Sequence, residues 1–451
     1  MKSNLNRIMI VGTGSGCGKT TVTCALLKTL VDTNIETISF KCGPDYIDPM
    51  FHSKIIGTKS RNLDMYMCSK NTVKYLLAEN SKNCDIAVIE GVMGMYDGLG
   101  FESDKCSAND ISRETRTNQI IVVDVKGKSL SLMAELSGFL NFGDNNLKGV
   151  ILNNCSKAMY PFYKKMIEEK LPLKVCGFLP NIPQAAVDSR HLGLVTAEEV
   201  ENIKEKLTLL GNTAKETLDL KSIMELAKDN NDFYYEKIEI KKEISGTVNI
   251  AVARDKAFCF YYQDNLELLE KLGANLIYFS PIEDKSIPEG IQGIVLGGGY
   301  PEENIDKLVD NKSMIESIKK HLEKGVPLFA ECGGFMYLGQ NIELDGKTFN
   351  TVGAIPNRFF MTKGLVRFGY KSLKAECDNI LCKKGGTIKC HEFHYSDTDD
   401  HGDGFTATNE RGKEWKCIIA KENIFAGYPH LHFWSNIDFA RNFIRACKGE
   451  K

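Results

Sequence analysis

The stretch from Ile8 to Thr21 leaves this chain few folds to choose from. Four apolar residues, Ile8-Met9-Ile10-Val11, run into Gly12-Thr13-Gly14-Ser15-Gly16-Cys17-Gly18-Lys19-Thr20-Thr21, and a helical pattern then continues to Leu30. A strand, a glycine-rich loop and a helix in that order turn successive backbone N–H groups toward a phosphate, and the helix start adds positive potential. Gly14, Ser15, Gly16, Cys17, Gly18, Lys19, Thr20 and Thr21 are therefore the expected ATP cradle, with Lys19 on the β and γ phosphates and Thr20 on Mg²⁺. Thr13 stands where the strict pattern has glycine. Cys17 stands where a dinucleotide-binding loop needs its third glycine, which rejects that rival.

Other short apolar runs follow, each with an amphipathic stretch behind it: Thr37 to Lys41, Ile86 to Ile89, Ile120 to Val125 and Gly149 to Asn153. Continuous apolar runs mark strands buried on both faces of a parallel sheet. Residues 1–195 read as one α/β domain. Residues 196–246 are rich in Lys and Glu and are expected to form solvated helices and a linker. A second alternating series begins at Val248 and defines an α/β domain over 247–447, closed by an amphipathic helix around Ile437 to Cys447.

In the first domain, Glu90 ends an apolar strand at the sheet edge where open α/β folds bind ligands, and it can hold Mg²⁺. The loop from Lys41 to His52 gathers two carboxylates, a cation and an imidazole in Lys41, Asp45, Asp48 and His52. In the second domain, Ala330-Glu331-Cys332-Gly333-Gly334 passes from strand through a sharp turn into a helix. Such an elbow exposes a thiol and favours its thiolate, and Gly333 allows substrate to approach. Leu296-Gly297-Gly298-Gly299-Tyr300 offers backbone N–H groups for an oxyanion. A base for the thiol is available at His430 or His432. His391-Glu392-Phe393-His394 is one residue short of the zinc-helix spacing, and a metal is not expected there.

Composition narrows the partners. Across 451 residues, 57 basic side chains face 59 acidic ones, so the charge footprint of a nucleic-acid binder is missing. Nothing approaches the roughly 18–20 apolar residues of a membrane span. The opening residues run straight into a strand and leave no room for a signal peptide, so a cytoplasmic location is expected, with the fifteen cysteines as reduced thiols.

Taken together and in order, the phosphate loop, Lys41-x-Gly-Pro-Asp-Tyr-Ile-Asp-Pro-x-Phe-His52, Ser60-Arg61-Asn62-Leu63-Asp64, Glu90-Gly-Val-Met-Gly-Met-Tyr-Asp-Gly98, Leu296-Gly-Gly-Gly-Tyr-Pro-Glu302, Ala330-Glu-Cys-Gly-Gly334 and His391-Glu-Phe-His-Tyr-Ser396 resemble the cobyrinic acid a,c-diamide synthase family of cobalamin biosynthesis. The resemblance implies a P-loop NTPase domain with a dethiobiotin-synthetase-like parallel sheet, followed by a class I glutamine amidotransferase α/β domain. It implies a ligase that amidates the a and c acetates of cobyrinic acid with L-glutamine and ATP. Carried over residue by residue, it places Asp45 and Asp48 near the reacting carboxylate or the metal, and Lys41, Tyr46 and Arg61 at the macrocycle. It favours His430 as the partner of Cys332, with His432 as the alternate.

Three questions stay open at this level. Hydrogenobyrinic acid or a nickel tetrapyrrole would carry the same acetates. A P-loop switch ATPase with a degenerate amidotransferase domain is a rival of another class, against which the intact Cys332 argues. A homodimer is one assembly open to the chain.

Overall fold

In the computed structural model, which describes residues 1–185, 203–242 and 245–450, the apolar runs of the first half become a single parallel sheet. A short strand β1 (Lys2–Ser3) precedes β2 (Arg7–Gly12), β3 (Thr37–Cys42), β4 (Lys59–Leu63), β5 (Ile86–Glu90), β6 (Gln119–Asp124), β7 (Leu147–Asn153) and β8 (Lys174–Leu179). The last seven assemble in the order β4-β3-β5-β2-β6-β7-β8, with every neighbouring pair parallel. The chain first builds outward from β2 on one side and then crosses to the other. The carboxyl ends of β2 and β5 therefore border the crevice where ligands sit in such sheets. The helix α1 (Lys19–Asp32) leaves β2 through the glycine loop. Its Val22, Leu26 and Leu30 pack onto Ile8, Ile10, Val88 and Val122 of the sheet.

The chain divides into two units, Met1–Ile238 and Glu239–Lys451. Over the described part of 196–246, expected as solvated helices and a linker, helices do form, but each buries one face. Residues Ile203–Thr217 and Leu220–Lys228 form helices that put Leu207, Leu210, Ala214, Ile223 and Ala227 into the core of the first unit. Their Lys and Glu side chains occupy the solvent faces, which is how an amphipathic helix reads as a charge run. Residues 196–202 and 243–244 of that stretch lie outside the described residues.

A short strand β9 (Phe233–Tyr234) pairs antiparallel with β1, and the second unit is built on β10 (Val248–Ala253), β11 (Ala274–Phe279), β12 (Gly293–Leu296) and β13 (Leu328–Glu331), ordered β11-β10-β12-β13 and parallel. The strand Ile424–Gly427 adds to β13 in parallel and Ile419–Lys421 closes the edge antiparallel. A five-stranded antiparallel sheet carries Arg367–Ala375, Thr387–His394 and His430–Leu431. The closing helix Ile437–Lys448 buries Phe439, Phe443 and Ile444.

Candidate active site

The phosphate loop has the backbone its glycines require. Gly18 adopts φ 92°, and a Cβ there would lie 2.0 Å from Asn153 Nδ2. Asn153 ends β7 and donates to the Cys17 carbonyl at 3.0 Å, so the loop is braced from a strand two places away in the sheet. Gly14 and Gly16 face open space. Lys19 is buried, and its Nζ donates to Met93 O at 3.0 Å. Burial, with Lys41 close by, lowers its pKa below the usual ammonium value. Ser15 and Thr21 flank these groups in the loop and in the first turn of α1.

Next to the loop stands a buried charge cluster that follows from strand register. Lys41 and Glu90 are partners across the parallel β3–β5 pair, so both side chains leave the sheet together. Lys41 Nζ lies 2.8 Å from Glu90 Oε1 and forms an ion pair with Asp48. Thr20 Oγ1 donates to the same Glu90 Oε1 at 2.7 Å. Burial works against the Lys41 cation, but Asp48, Glu90 and Asp45 outweigh it and raise its pKa. His52 packs below, with Nε2 3.5 Å from Glu90 Oε2 and Nδ1 3.2 Å from Ser39 Oγ, and burial holds it toward the neutral form.

Glu90 Oε2 is buried and makes no hydrogen bond among the described residues. A hydroxyl at the start of α1 and a carboxylate oxygen at the end of β5 are the hard donors Mg²⁺ takes, so Thr20 and Glu90 fit the ion. Asp48 is held by Lys41 and is the remaining carboxylate of that set. Asp45 accepts from the Ile47 amide at 2.8 Å, and its backbone carbonyl receives Asn62 Nδ2 at 2.7 Å. Burial raises the Asp45 carboxyl to about 7, and the neighbouring Asp48 adds to the effect. Asp48 moves the other way: burial opposes its charge, and Lys41 outweighs the burial. One carboxyl of the pair thus holds a proton close to neutral pH while the other stays ionised. Tyr46 opens the short helix Ile47–Phe51, and Arg61, on the edge strand β4, donates to Ser60 O at 2.8 Å. Both side chains are half-buried.

In the second unit, Cys332 sits at the carboxyl end of β13 with φ 48° and ψ −105°, a conformation that favours glycine. Cys332 is buried there, and its own N–H donates to Gly427 O at 2.8 Å. His430 is the histidine brought to it. Burial pulls the imidazole down, but contact with Cys332 and Glu331 prevails and raises its pKa to about 10. His432, the alternate, is elsewhere in character. Its ring packs on Tyr262 at 4.8 Å between centroids, and burial alone drops it to about 3. Gly298 and Gly299 lie against this site. A Cβ on Gly298 would meet His430 Cε1 at 2.5 Å, and a Cβ on Gly333 would meet the Gly299 nitrogen at 3.1 Å. That places a glycine N–H beside the elbow, as an oxyanion donor requires.

Some supporting residues carry no motif signal. Asn153 is one. Glu331 is marked in the sequence only as the neighbour of Cys332, yet its Oε2 lies 3.8 Å from His430 Nδ1. His391 pairs directly across from His430 on adjacent antiparallel strands. The segment His391–His394 belongs to a strand, so Glu392 and His394 share one face and His391 takes the other.

Two family models match the chain, one in each half. Residues 8–195 match the family described as the CobQ/CobB/MinD/ParA nucleotide binding domain, and residues 249–437 match the CobB/CobQ-like glutamine amidotransferase domain. The chain is 39% identical to a cobyrinate a,c-diamide synthase of Clostridium tetani, over 98% of this chain and 100% of that protein. It is 40% identical to proteins of the same description from Clostridium acetobutylicum, over 98% and 100%, and Fusobacterium nucleatum, over 96% and 99%.

Proposed function

The chain belongs to the cobyrinate a,c-diamide synthase family of glutamine-dependent ligases, and we propose that it converts the a and c acetate carboxylates of cobyrinic acid into amides, with ATP as activator and glutamine as nitrogen donor. The observation that carries this reading is the coexistence on one chain of a phosphate loop joined through Thr20 to Glu90 and a strained Cys332 in contact with His430.

A carboxylate resists attack by ammonia. In the proposed first step a carboxylate oxygen takes the γ-phosphoryl group of ATP, giving an acyl phosphate and ADP. Ammonia then displaces phosphate and forms the amide. The residues from Gly14 to Thr21 hold the triphosphate, and Lys19 neutralises its β and γ oxygens. Thr20 and Glu90, with Asp48 as a third candidate, hold Mg²⁺, which supplies charge neutralisation at the phosphates. In its ionised form Asp45 takes the proton that the attacking nitrogen must lose, and Lys41, Tyr46 and Arg61 face the carboxylate-rich macrocycle.

Nitrogen arises at the other site. The Cys332 thiolate attacks the glutamine carboxamide, and the N–H groups of Gly298, Gly299 and Gly333 stabilise the oxyanion. The C–N bond breaks as His430 gives its proton to the departing ammonia, which leaves a thioester. Water, deprotonated by His430, releases glutamate and restores the thiol. A cytoplasmic setting suits the fifteen free thiols. Among the described residues no helix is long and apolar enough to cross a membrane.

The test is mass spectrometry of cobyrinic acid incubated with the protein, Mg·ATP and amide-¹⁵N glutamine. Two labelled amides on the macrocycle are expected. Glutamine hydrolysis and ATP turnover without a labelled macrocycle would move the substrate assignment to hydrogenobyrinic acid or a nickel tetrapyrrole.

A further inference from the structure

A histidine that serves a cysteine nucleophile needs its ring held in one orientation and its cation stabilised, and a carboxylate on the far ring nitrogen commonly does both. The residue two places beyond His430 does neither here, because it is His432, a buried ring packed on Tyr262. A carboxylate reaches His430 from another direction. Glu331 ends β13, and strand register sets it beside Gly427, three residues before His430. Its side chain is buried. Oε1 accepts the Leu431 N–H at 2.6 Å, and Oε2 lies 3.8 Å from His430 Nδ1, at ion-pair distance. A single carboxylate therefore grips the backbone just after the histidine and faces its ring.

We propose that Glu331, the residue immediately before the nucleophile, is the positioning carboxylate of the glutaminase site: it fixes the His430 ring through Nδ1, leaves Nε2 for Cys332, and stabilises the imidazolium that forms when the thiol gives up its proton. The inference rests on reading Cys332 and His430 as the glutaminase pair. It also accounts for a burial that would otherwise be costly, since an ionised carboxylate withdrawn from water needs a compensating charge. The titratable groups facing His430 are Cys332 on the elbow, Glu331 on β13 and His391 across the antiparallel pair. His391 is held toward its neutral form by burial and by the His430 charge, so it does not compete for the carboxylate.

The test uses the full-length protein with Glu331→Gln, Glu331→Asp and His430→Asn. Glutamine keeps an oxygen acceptor for the Leu431 N–H and removes only the charge. Glu331→Gln is expected to lower kcat for glutamine hydrolysis on the order of tenfold or more, a share of the roughly 10²–10⁴-fold that a positioned acid–base supplies. KM should change little. The pH midpoint for alkylation of Cys332 by iodoacetamide should move up, because the imidazolium has lost its partner, and Glu331→Asp should restore part of both. Amidation driven by free ammonium should match the wild type. A Glu331→Gln variant with wild-type kcat and alkylation profile overturns the proposal, as does an equal loss of ammonium-driven amidation, which would make Glu331 merely structural. An alkylation profile unmoved by His430→Asn would instead overturn the Cys332–His430 pair itself, and the proposal with it.

Discussion

Lys41 and Glu90 are register partners on neighbouring parallel strands, with Nζ 2.8 Å from Oε1, and both side chains are almost wholly buried. The ammonium is the counter-charge for Glu90 and Asp48 at once. Removing it leaves buried Glu90 and partly buried Asp48 without their counter-charge, and breaking a buried pair in this way costs about 3–5 kcal/mol. Lys41→Met should lower the thermal midpoint clearly and should be rescued in part by Glu90→Gln in the same chain. Differential scanning calorimetry of the single and double variants checks both.

Asp45 gives the first unit a pH signature. Its carboxyl titrates near 7 when folded and near 3.9 in an open chain. The folded state therefore holds the extra proton between those values. Its contribution to stability is complete below about pH 4 and is lost as the pH rises through 7. Melting curves of the nucleotide-free protein from pH 4 to 8 should show that decline. Asp45→Asn, which resembles the protonated form, should flatten it.

The two chemistries should separate by substitution. Cys332→Ala should abolish the use of glutamine and leave synthesis with ammonium intact. Lys19→Ala should remove amidation from either nitrogen source, by roughly 10²-fold or more if the lost contact is to the transferred phosphoryl group. Parallel assays with glutamine and with ammonium chloride decide the matter, and ammonium-driven product from the Lys19 variant would refute its phosphate role.

The two histidines near the chain end should part company as well. His430→Asn should eliminate glutaminase turnover. His432→Asn should act through packing against Tyr262, lowering the thermal midpoint with a much smaller effect on kcat. Steady-state glutaminase kinetics beside thermal melts of both variants give the comparison.

What could be read from the amino acids follows a physical divide. The phosphate loop is legible because its chemistry is local: glycines, Lys19 and Thr20 must be adjacent in sequence to surround one group. The same holds for Cys332 on its turn. The meeting of Lys41 with Glu90, 49 residues apart, depends on the register of β3 against β5, which only the packing of the whole sheet determines. Glu331 was visible as a neighbour of Cys332, but its approach to His430 spans the separate return of the strand Ile424–Gly427. The buried faces of the helices after residue 203 were obscured by their solvent faces. Leu207, Leu210 and Ala214 recur at helical spacing among the lysines and glutamates, and that weaker signal was the one that mattered.

The backbone at Cys332, with φ 48° and ψ −105°, has a consequence for how such a protein can drift. A side chain in that region costs on the order of 1–3 kcal/mol, and glycine would relieve most of it. Cys332→Gly should therefore be inert toward glutamine and yet melt no lower than the wild type. A lineage supplied with abundant ammonium, and tested only for how long its protein survives heat, would lose nothing by discarding the nucleophile.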